Sequence, residues 1–150
     1  MTIEQTIQQI GLQSDERAKL ELLNKIKEML PELRLQQKDR YLISLLYDEN
    51  WYIRQETAFL IDQLGTKLSG EDYYQYLFAL QDFENLYLAI EEPLARRVLF
   101  EGLKDTNHRL RLKIFRYLKY EDCHTAIEKA LFWYGQADYQ QLAYLAQNST

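Results

Sequence analysis

The chain has 150 residues, 47% of them hydrophobic, and a net charge of −5. This length is sufficient for one domain with its own apolar core, and we predict a single domain over residues 1–150. Only five glycines and two prolines are present, which disfavours a disordered chain and a β-sandwich with many turns. Because Cys123 is the single cysteine, no disulfide can form within the chain, and a reducing compartment is expected.

No segment of the sequence is typical of a signal peptide or of a membrane span. The amino terminus lacks the basic start and apolar run of a signal peptide. No apolar stretch approaches the roughly 20 residues that a membrane span needs. We therefore expect a soluble cytoplasmic protein that does not bind a membrane.

Apolar residues recur at three- and four-residue steps along most of the chain, which predicts α-helices. The first clear face runs through residues 18–30, and Pro31 is expected to end or restart that helix. Leucines at positions 35, 42, 45 and 46 mark a second helix. A third covers residues 53–64, and Gly65 is its expected stop.

The second half of the chain continues in the same way. Residues 69–72 read SGED, which resembles a capping box that opens a helix at Ser69. Pro93 suits the first turn of another helix. No alternating strand pattern is present, so the sequence predicts an all-α protein of short helices. The further predicted helices are near residues 70–80, 83–91, 94–103, 108–119, 123–134 and 138–147.

One phrase, Asp-x-Asn-x-x-(Ile/Leu)-Arg, occurs twice. It reads DENWYIR at residues 48–54 and DTNHRLR at residues 105–111, and a leucine precedes each Asp by two positions. The two asparagines suit helix N-caps, because their side-chain oxygen can accept from an uncapped backbone N–H. The two aspartates suit the turn, close to the positive end of the following helix. The residues concerned are Asp48 and Asn50 in the first copy, and Asp105 and Asn107 in the second.

The arginines of the phrase, Arg54 and Arg111, fall in the first helical turn, where the helix dipole disfavours a cation. We therefore expect each to bond a turn carboxylate or an exposed helix-end carbonyl, as part of the structure. The agreement extends beyond the phrase, since a shift of 57 residues superimposes two core faces. The shift places Ile53, Thr57, Leu60 and Ile61 on Leu110, Ile114, Tyr117 and Leu118.

A helix, an Asp in the turn and a second helix that opens with Ile/Leu-Arg together resemble the HEAT-type repeat. The stretches that carry the resemblance are LLYDENWYIRQETAFLIDQLG at residues 45–65 and GLKDTNHRLRLKIFRYL at residues 102–118. It implies a short α-solenoid of antiparallel helix pairs, an armadillo-like superhelix whose concave face binds partners. The 57-residue separation exceeds the roughly 40–47 residues of one repeat, so an extra helical unit is expected between 69 and 101. A general helical bundle is the structural alternative.

Catalytic chemistry finds little support in the sequence. No phosphate-binding, dinucleotide, zinc-protease or nucleophile-elbow motif is present. Cys123 and His124 are adjacent, and neighbours on a helix point about 100° apart, so a nucleophile–base pair is disfavoured. Two histidines and one cysteine lack any recognised metal-ligand spacing. No catalytic residue, metal or cofactor is therefore predicted.

The most informative feature for function is a basic block. Residues 96–119 carry eight basic and two acidic residues, a charge of +6, so the rest of the chain carries −11. Arg109, Lys113 and Arg116 fall on one stripe of the predicted helix, away from its core face. The 57-residue shift places Tyr52 and Phe59 on the corresponding stripe of the first copy. Together these five residues are the predicted partner-binding site.

Such a surface suits an acidic protein segment, and a non-enzymatic protein-binding adaptor or scaffold is the first functional prediction. Binding to a nucleic-acid backbone is the alternative, although the acidic remainder of the chain would repel phosphate. An enzyme similar to HEAT-like DNA glycosylases or lyases comes third. The stripe could also be no more than solvated surface.

Overall fold

The structure, a computed structural model, describes residues 1–136. Within this range every regular element is an α-helix or a 3-10 helix, which confirms the all-α prediction. None of the helices in the described part is long and apolar enough to cross a membrane. The elements are α1 (Ile3–Leu12), α2 (Glu16–Glu28), α3 (Leu30–Leu35), the 3-10 helix η1 (Asp39–Tyr47), α4 (Trp51–Leu64), α5 (Glu71–Ala79), α6 (Phe83–Leu88), α7 (Pro93–Glu101), η2 (Gly102–Lys104), α8 (His108–Ile114), η3 (Tyr120–Asp122) and α9 (residues 126–136).

The chain divides into two compact units, the first ending at Leu80 and the second beginning at Gln81. In the first unit α4 packs against η1 and α5, and α1 packs against α2. In the second unit α6 packs against α7, and η2 contacts both α7 and α8. The single domain over residues 1–150, the solenoid arrangement and the HEAT resemblance stay predictions.

Both copies of the repeated phrase form the same turn between two helical segments. Asp48 and Asp105 have extended backbones, with φ and ψ of −61° and 150° in one and −59° and 148° in the other. Each accepts a hydrogen bond through Oδ2 from the backbone N–H of the Asn two residues later, at 3.0 Å in both copies. The turn is thus closed by its own Asp side chain before the helix starts.

The Asn of each phrase is the N-cap of the following helix. Oδ1 of Asn50 accepts from the N–H groups of Tyr52 at 2.8 Å and Ile53 at 3.2 Å. Oδ1 of Asn107 accepts from Arg109 at 3.0 Å and Leu110 at 3.3 Å. Two of the N–H groups that a helix start leaves open are satisfied in this way.

The two helices that follow bury corresponding faces. Ile53, Thr57 and Ile61 of α4 are almost completely buried, and so are Leu110 and Ile114 of α8. Leu118, which the 57-residue shift places opposite Ile61, is also buried. Three of the four predicted pairs are therefore buried in both copies, whereas Tyr117, opposite the buried Leu60, is only partly buried.

Arg54 is buried within the first unit, with 4% of its surface exposed. Its Nη1 donates to the carbonyl oxygens of Asp48 at 3.0 Å and Glu49 at 3.2 Å. Its guanidinium also lies over the ring of Phe78, 5.3 Å from the ring centroid. Arg54 therefore joins the turn and α4 to α5, a role consistent with the structural assignment made from its position.

Arg111 occupies the corresponding place in the second unit and is 7% exposed. Its Nη2 contacts Nδ1 of His108, one turn earlier on the same helix. Both arginines are thus largely withdrawn from solvent, and their surfaces are used for contacts within their own unit.

An ion pair that the sequence did not reveal holds the first turn against α2. The ammonium of Lys19 bonds both carboxylate oxygens of Asp48, at 3.0 and 2.8 Å, and the two side chains are only 2% and 4% exposed. Lys19 lies four residues before Leu23 and seven before Ile26, on the buried stripe of α2. Asp48 therefore accepts the hydrogen bond that closes its turn and also pairs with a buried lysine.

Some predicted boundaries were wrong. Leu35 does not belong to the helix of Leu42, because α3 ends there, the side chain is 85% exposed, and Gln37 has a positive φ of 54°. The segment after this break is the 3-10 helix η1. Helix α5 starts after Gly70, whose own φ is 59°, and no side chain caps it, so the predicted capping box at Ser69 is absent.

Other boundaries moved by a few residues. Gly65 stops α4 in the left-handed conformation, and Pro93 opens α7, both as predicted. Helix α8 ends at Ile114, five residues before the predicted end. The chain then forms hydrogen bonds between residues three positions apart, such as that from Tyr117 N–H to the Ile114 carbonyl, as in a 3-10 turn. The helix predicted at residues 138–147 lies outside the described residues.

We expect replacement of Arg54 by alanine to lower the free energy of unfolding by roughly 1–3 kcal/mol, since two turn carbonyls lose a charged donor. Urea unfolding followed by circular dichroism measures this change. Arg17→Ala is the matched control, because Arg17 is 89% exposed and reaches only Glu21; its effect should stay below about 0.5 kcal/mol. An Arg54→Ala protein as stable as the wild type would contradict the structural role.

Candidate functional site

The basic stripe, defined as Arg109, Lys113 and Arg116, lies on α8 and the turn that follows it. The Asn107 cap fixes where α8 begins, and the burial of Leu110 and Ile114 fixes its rotation. All three stripe residues are consequently exposed. Their spacing of four and three residues places them on one side of the helical segment.

The stripe is not neutralised by the part of the protein around it. Lys113 donates through Nζ to Oε1 of Gln81 at 2.7 Å, which is a bond to a neutral amide. Over residues 1–136, no carboxylate lies within ion-pair distance of the three cations. Several other cations of that range do form ion pairs, namely Arg17 with Glu21, Lys19 with Asp48, Lys27 with Glu56, Lys38 with Glu4, Arg96 with Glu128 and Lys104 with Glu101.

The corresponding stripe of α4 has a different chemistry. Phe59 is 46% exposed. Tyr52 is half-buried, and its ring is nearly perpendicular to that of Trp51, with 5.6 Å between the ring centroids. Glu56 lies between them and bonds Nζ of Lys27 at 3.2 Å. The hydrogen bond between Tyr52 and Glu56, with the charge of that carboxylate, raises the pKa of the tyrosine. This face therefore combines an exposed aromatic ring with an acidic group that is already engaged.

The five predicted binding residues divide between the two units. Tyr52 and Phe59 belong to the unit that ends at Leu80, whereas the basic stripe belongs to the unit that begins at Gln81. The single surface predicted to combine them stays a prediction.

A cleft of about 650 Å³ adjoins the carboxyl end of the stripe. Its apolar wall includes Leu112, Phe115 and Phe132, and Arg116 and Lys119 stand at its edge. The ring of Phe115 meets that of Phe132 edge to face, with 5.4 Å between centroids. The sequence analysis missed this cleft, because its walls come from α8 and α9, which are separated in the chain.

Helix α9, the far wall of this cleft, is anchored by Arg96 of α7. Nε and Nη2 of Arg96 bond the two carboxylate oxygens of Glu128, at 2.5 and 2.9 Å. Nη2 also donates to the carbonyl of Asp122, and the guanidinium lies over the ring of Phe100. A bidentate guanidinium–carboxylate pair is geometrically specific, so it fixes the position of α9 relative to α7.

Glu128 also caps its own helix. Its Oε1 accepts from the backbone N–H groups of His124 at 2.7 Å and Thr125 at 3.2 Å, and its own N–H donates to the Thr125 hydroxyl. Burial alone would raise the pKa of Glu128, but the bonds from Arg96 and the two N–H groups outweigh it and lower the pKa to about 2. The Thr125-x-x-Glu128 spacing of a capping box was visible in the sequence and could have located this helix start.

Cys123 and His124 do not supply a reactive thiol. Cys123 is 7% exposed, and its Sγ lies 3.9 Å from the carbonyl oxygen of Glu128. Burial, reinforced by the charge of Glu128, raises the pKa of the thiol. The thiolate is the nucleophilic form, so this environment suits a structural cysteine.

Comparisons with known proteins found no match. No family model, no curated protein and no solved structure matches this chain. In the described range, no group of three His, Cys, Asp or Glu residues is arranged to hold a metal ion. Charge and exposure of the described side chains are therefore the features that indicate a function.

The Arg96–Glu128 pair predicts an acid-dependent loss of stability. A carboxylate whose pKa is lower in the folded state stabilises fully above its unfolded value of 4.5, and this contribution is lost as the pH falls towards 2. We expect Glu128→Gln to reduce the free energy of unfolding by about 2 kcal/mol at neutral pH and to flatten its decline between these two pH values. Urea unfolding at a series of pH values measures both effects.

The matched control is Glu84→Gln, which neutralises an exposed carboxylate in the first turn of α6 in the same unit. This variant should keep the wild-type slope between the same two pH values. If Glu128→Gln and Glu84→Gln show the same pH profile, the ion pair does not stabilise the unit as described.

Proposed function

We propose that this protein is a non-enzymatic adaptor that binds an acidic segment of another protein through the basic stripe. The single observation that carries the proposal is the exposure of Arg109 and Lys113 of α8 and of Arg116 in the turn after it, without a carboxylate from the described chain to neutralise them. Three cations on successive turns present a line of positive potential at the spacing of an extended or helical acidic segment.

Acidic protein is a better fit than nucleic acid for this stripe. The stripe lies in a chain whose net charge is −5, and phosphate backbones are attracted by continuous basic surfaces. A short protein segment needs only a local positive surface, whereas a duplex would extend beyond it. Binding of nucleic acid is therefore the alternative that the experiment below distinguishes.

The acidic-segment proposal can be tested by charge reversal. We expect the combined replacements Arg109→Glu, Lys113→Glu and Arg116→Glu to weaken binding of a ten-residue glutamate peptide by about tenfold or more, which corresponds to 1.4 kcal/mol. Isothermal titration calorimetry at low salt measures the affinity. Because all three side chains are exposed, the free energy of unfolding should change little.

A matched control reverses three other exposed cations. Lys25→Glu, Arg40→Glu and Lys67→Glu change the net charge by the same amount but do not lie on the basic stripe. This control should lose much less affinity than the stripe variant. Equal loss in both variants would show that total charge, and not the stripe, attracts the peptide. Tight, strongly salt-dependent binding of a DNA duplex with no peptide binding would favour the nucleic-acid alternative.

A further inference from the structure

One wall of the cleft beside Arg116 is apolar. Phe132, 7% exposed, forms one wall and contacts both Phe115 and Tyr120, with ring centroids 5.4 and 6.1 Å apart. Leu112 of α8 completes the apolar lining. Aromatic walls that hold one another at these distances give a cavity a defined shape before any ligand binds.

Gly135 of α9 explains how Phe115 can lie so close to the opposite helix. A Cβ atom added at residue 135 would be 2.8 Å from Cζ of Phe115 and 2.9 Å from Cε2. The ring therefore rests directly on backbone that only glycine leaves uncovered. This contact holds the Phe115 side of the cleft in place.

The lining of the cleft includes more basic than acidic side chains. Arg116 and Lys119 are exposed and line the cleft, and Glu121 is the acidic residue among the lining side chains. Arg116 is at the same time the last member of the basic stripe. An apolar cavity and a row of cations therefore meet at one residue.

We propose that this cleft receives a bulky apolar side chain of the same acidic segment that binds the basic stripe. The proposal rests on the proposed function and adds the chemistry of the partner, which is a protein segment with an aromatic or large aliphatic residue between carboxylates. The apolar side chain occupies the space between Leu112, Phe115 and Phe132. The flanking carboxylates bond Arg116 and Lys119, and the remaining acidic residues extend along the stripe.

The test uses the full chain and three blocked nine-residue peptides. The first has phenylalanine between two runs of four glutamates, the second has alanine in place of phenylalanine, and the third has glutamines in place of the glutamates. We expect calorimetry to show about tenfold tighter binding of the first than of the second, a difference of 1.4 kcal/mol. The third peptide should show no measurable binding, because an anchor alone lacks the charge attraction.

A variant of the cleft wall refines the result. Leu112→Asp should remove the advantage of phenylalanine over alanine, since it places a charge against the apolar side chain. The matched control, Leu88→Asp, makes the same exchange at a leucine that is 74% exposed and does not line the cleft, and it should keep the advantage. Circular dichroism measures whether both variants are folded. The affinities of the wild-type protein for the phenylalanine and alanine peptides test the proposal even if a variant does not fold.

The outcomes separate this inference from the proposed function. Equal affinity for the phenylalanine and alanine peptides, with both lost on charge reversal of the stripe, would overturn the cleft assignment and leave the stripe as a docking surface. Failure of both glutamate peptides to bind would overturn the proposed function as well. Binding of the glutamine peptide as tightly as the first would overturn the acidic character of the partner.

Discussion

The start of a helix directly after a tight turn is the constraint on which both units depend. The first N–H groups of such a helix have no carbonyl partners within the helix, so a side chain or water must accept their hydrogen bonds. In both units one Asn side chain satisfies two of these groups, and one Asp side chain closes the turn before it. These bonds fix the direction in which the helix leaves the turn, so that Ile53 and Leu110 reach their cores.

What the sequence could predict was local. The turn, its Asn caps and the phase of the buried faces depend on residues within a few positions, and all are present in the structure. The ion pair between Lys19 and Asp48 joins residues 29 apart, and that between Arg96 and Glu128 joins residues 32 apart. No local pattern specifies such partners, although Lys19 shares the three- and four-residue spacing of its buried neighbours. The contact of Phe115, in the turn after α8, with Phe132 of α9 likewise joins residues that are distant in the chain.

The same local rules explain why the basic stripe could be recognised. Once Leu110 and Ile114 face the core, the helical period turns residues 109 and 113 to solvent, and residue 116 in the following turn is also exposed. Arg111 on the same helix is instead drawn inwards and contacts His108. The basic block thus contains cations that bond within the fold, among them Arg96 and Arg111, and the three exposed cations of the stripe. The cleft was missed because it exists only after α9 has been placed by Arg96.

The central proposal is that an acidic segment binds the basic stripe on α8 and the turn that follows it. Amide NMR spectra of the protein, recorded as a ten-residue glutamate peptide is added, test it most directly, because each residue reports separately. The account predicts that the largest changes occur in the backbone amides of residues 108–119, with little change in α1 to α5. Changes centred on the first unit, or no change at peptide concentrations that saturate binding, would contradict it.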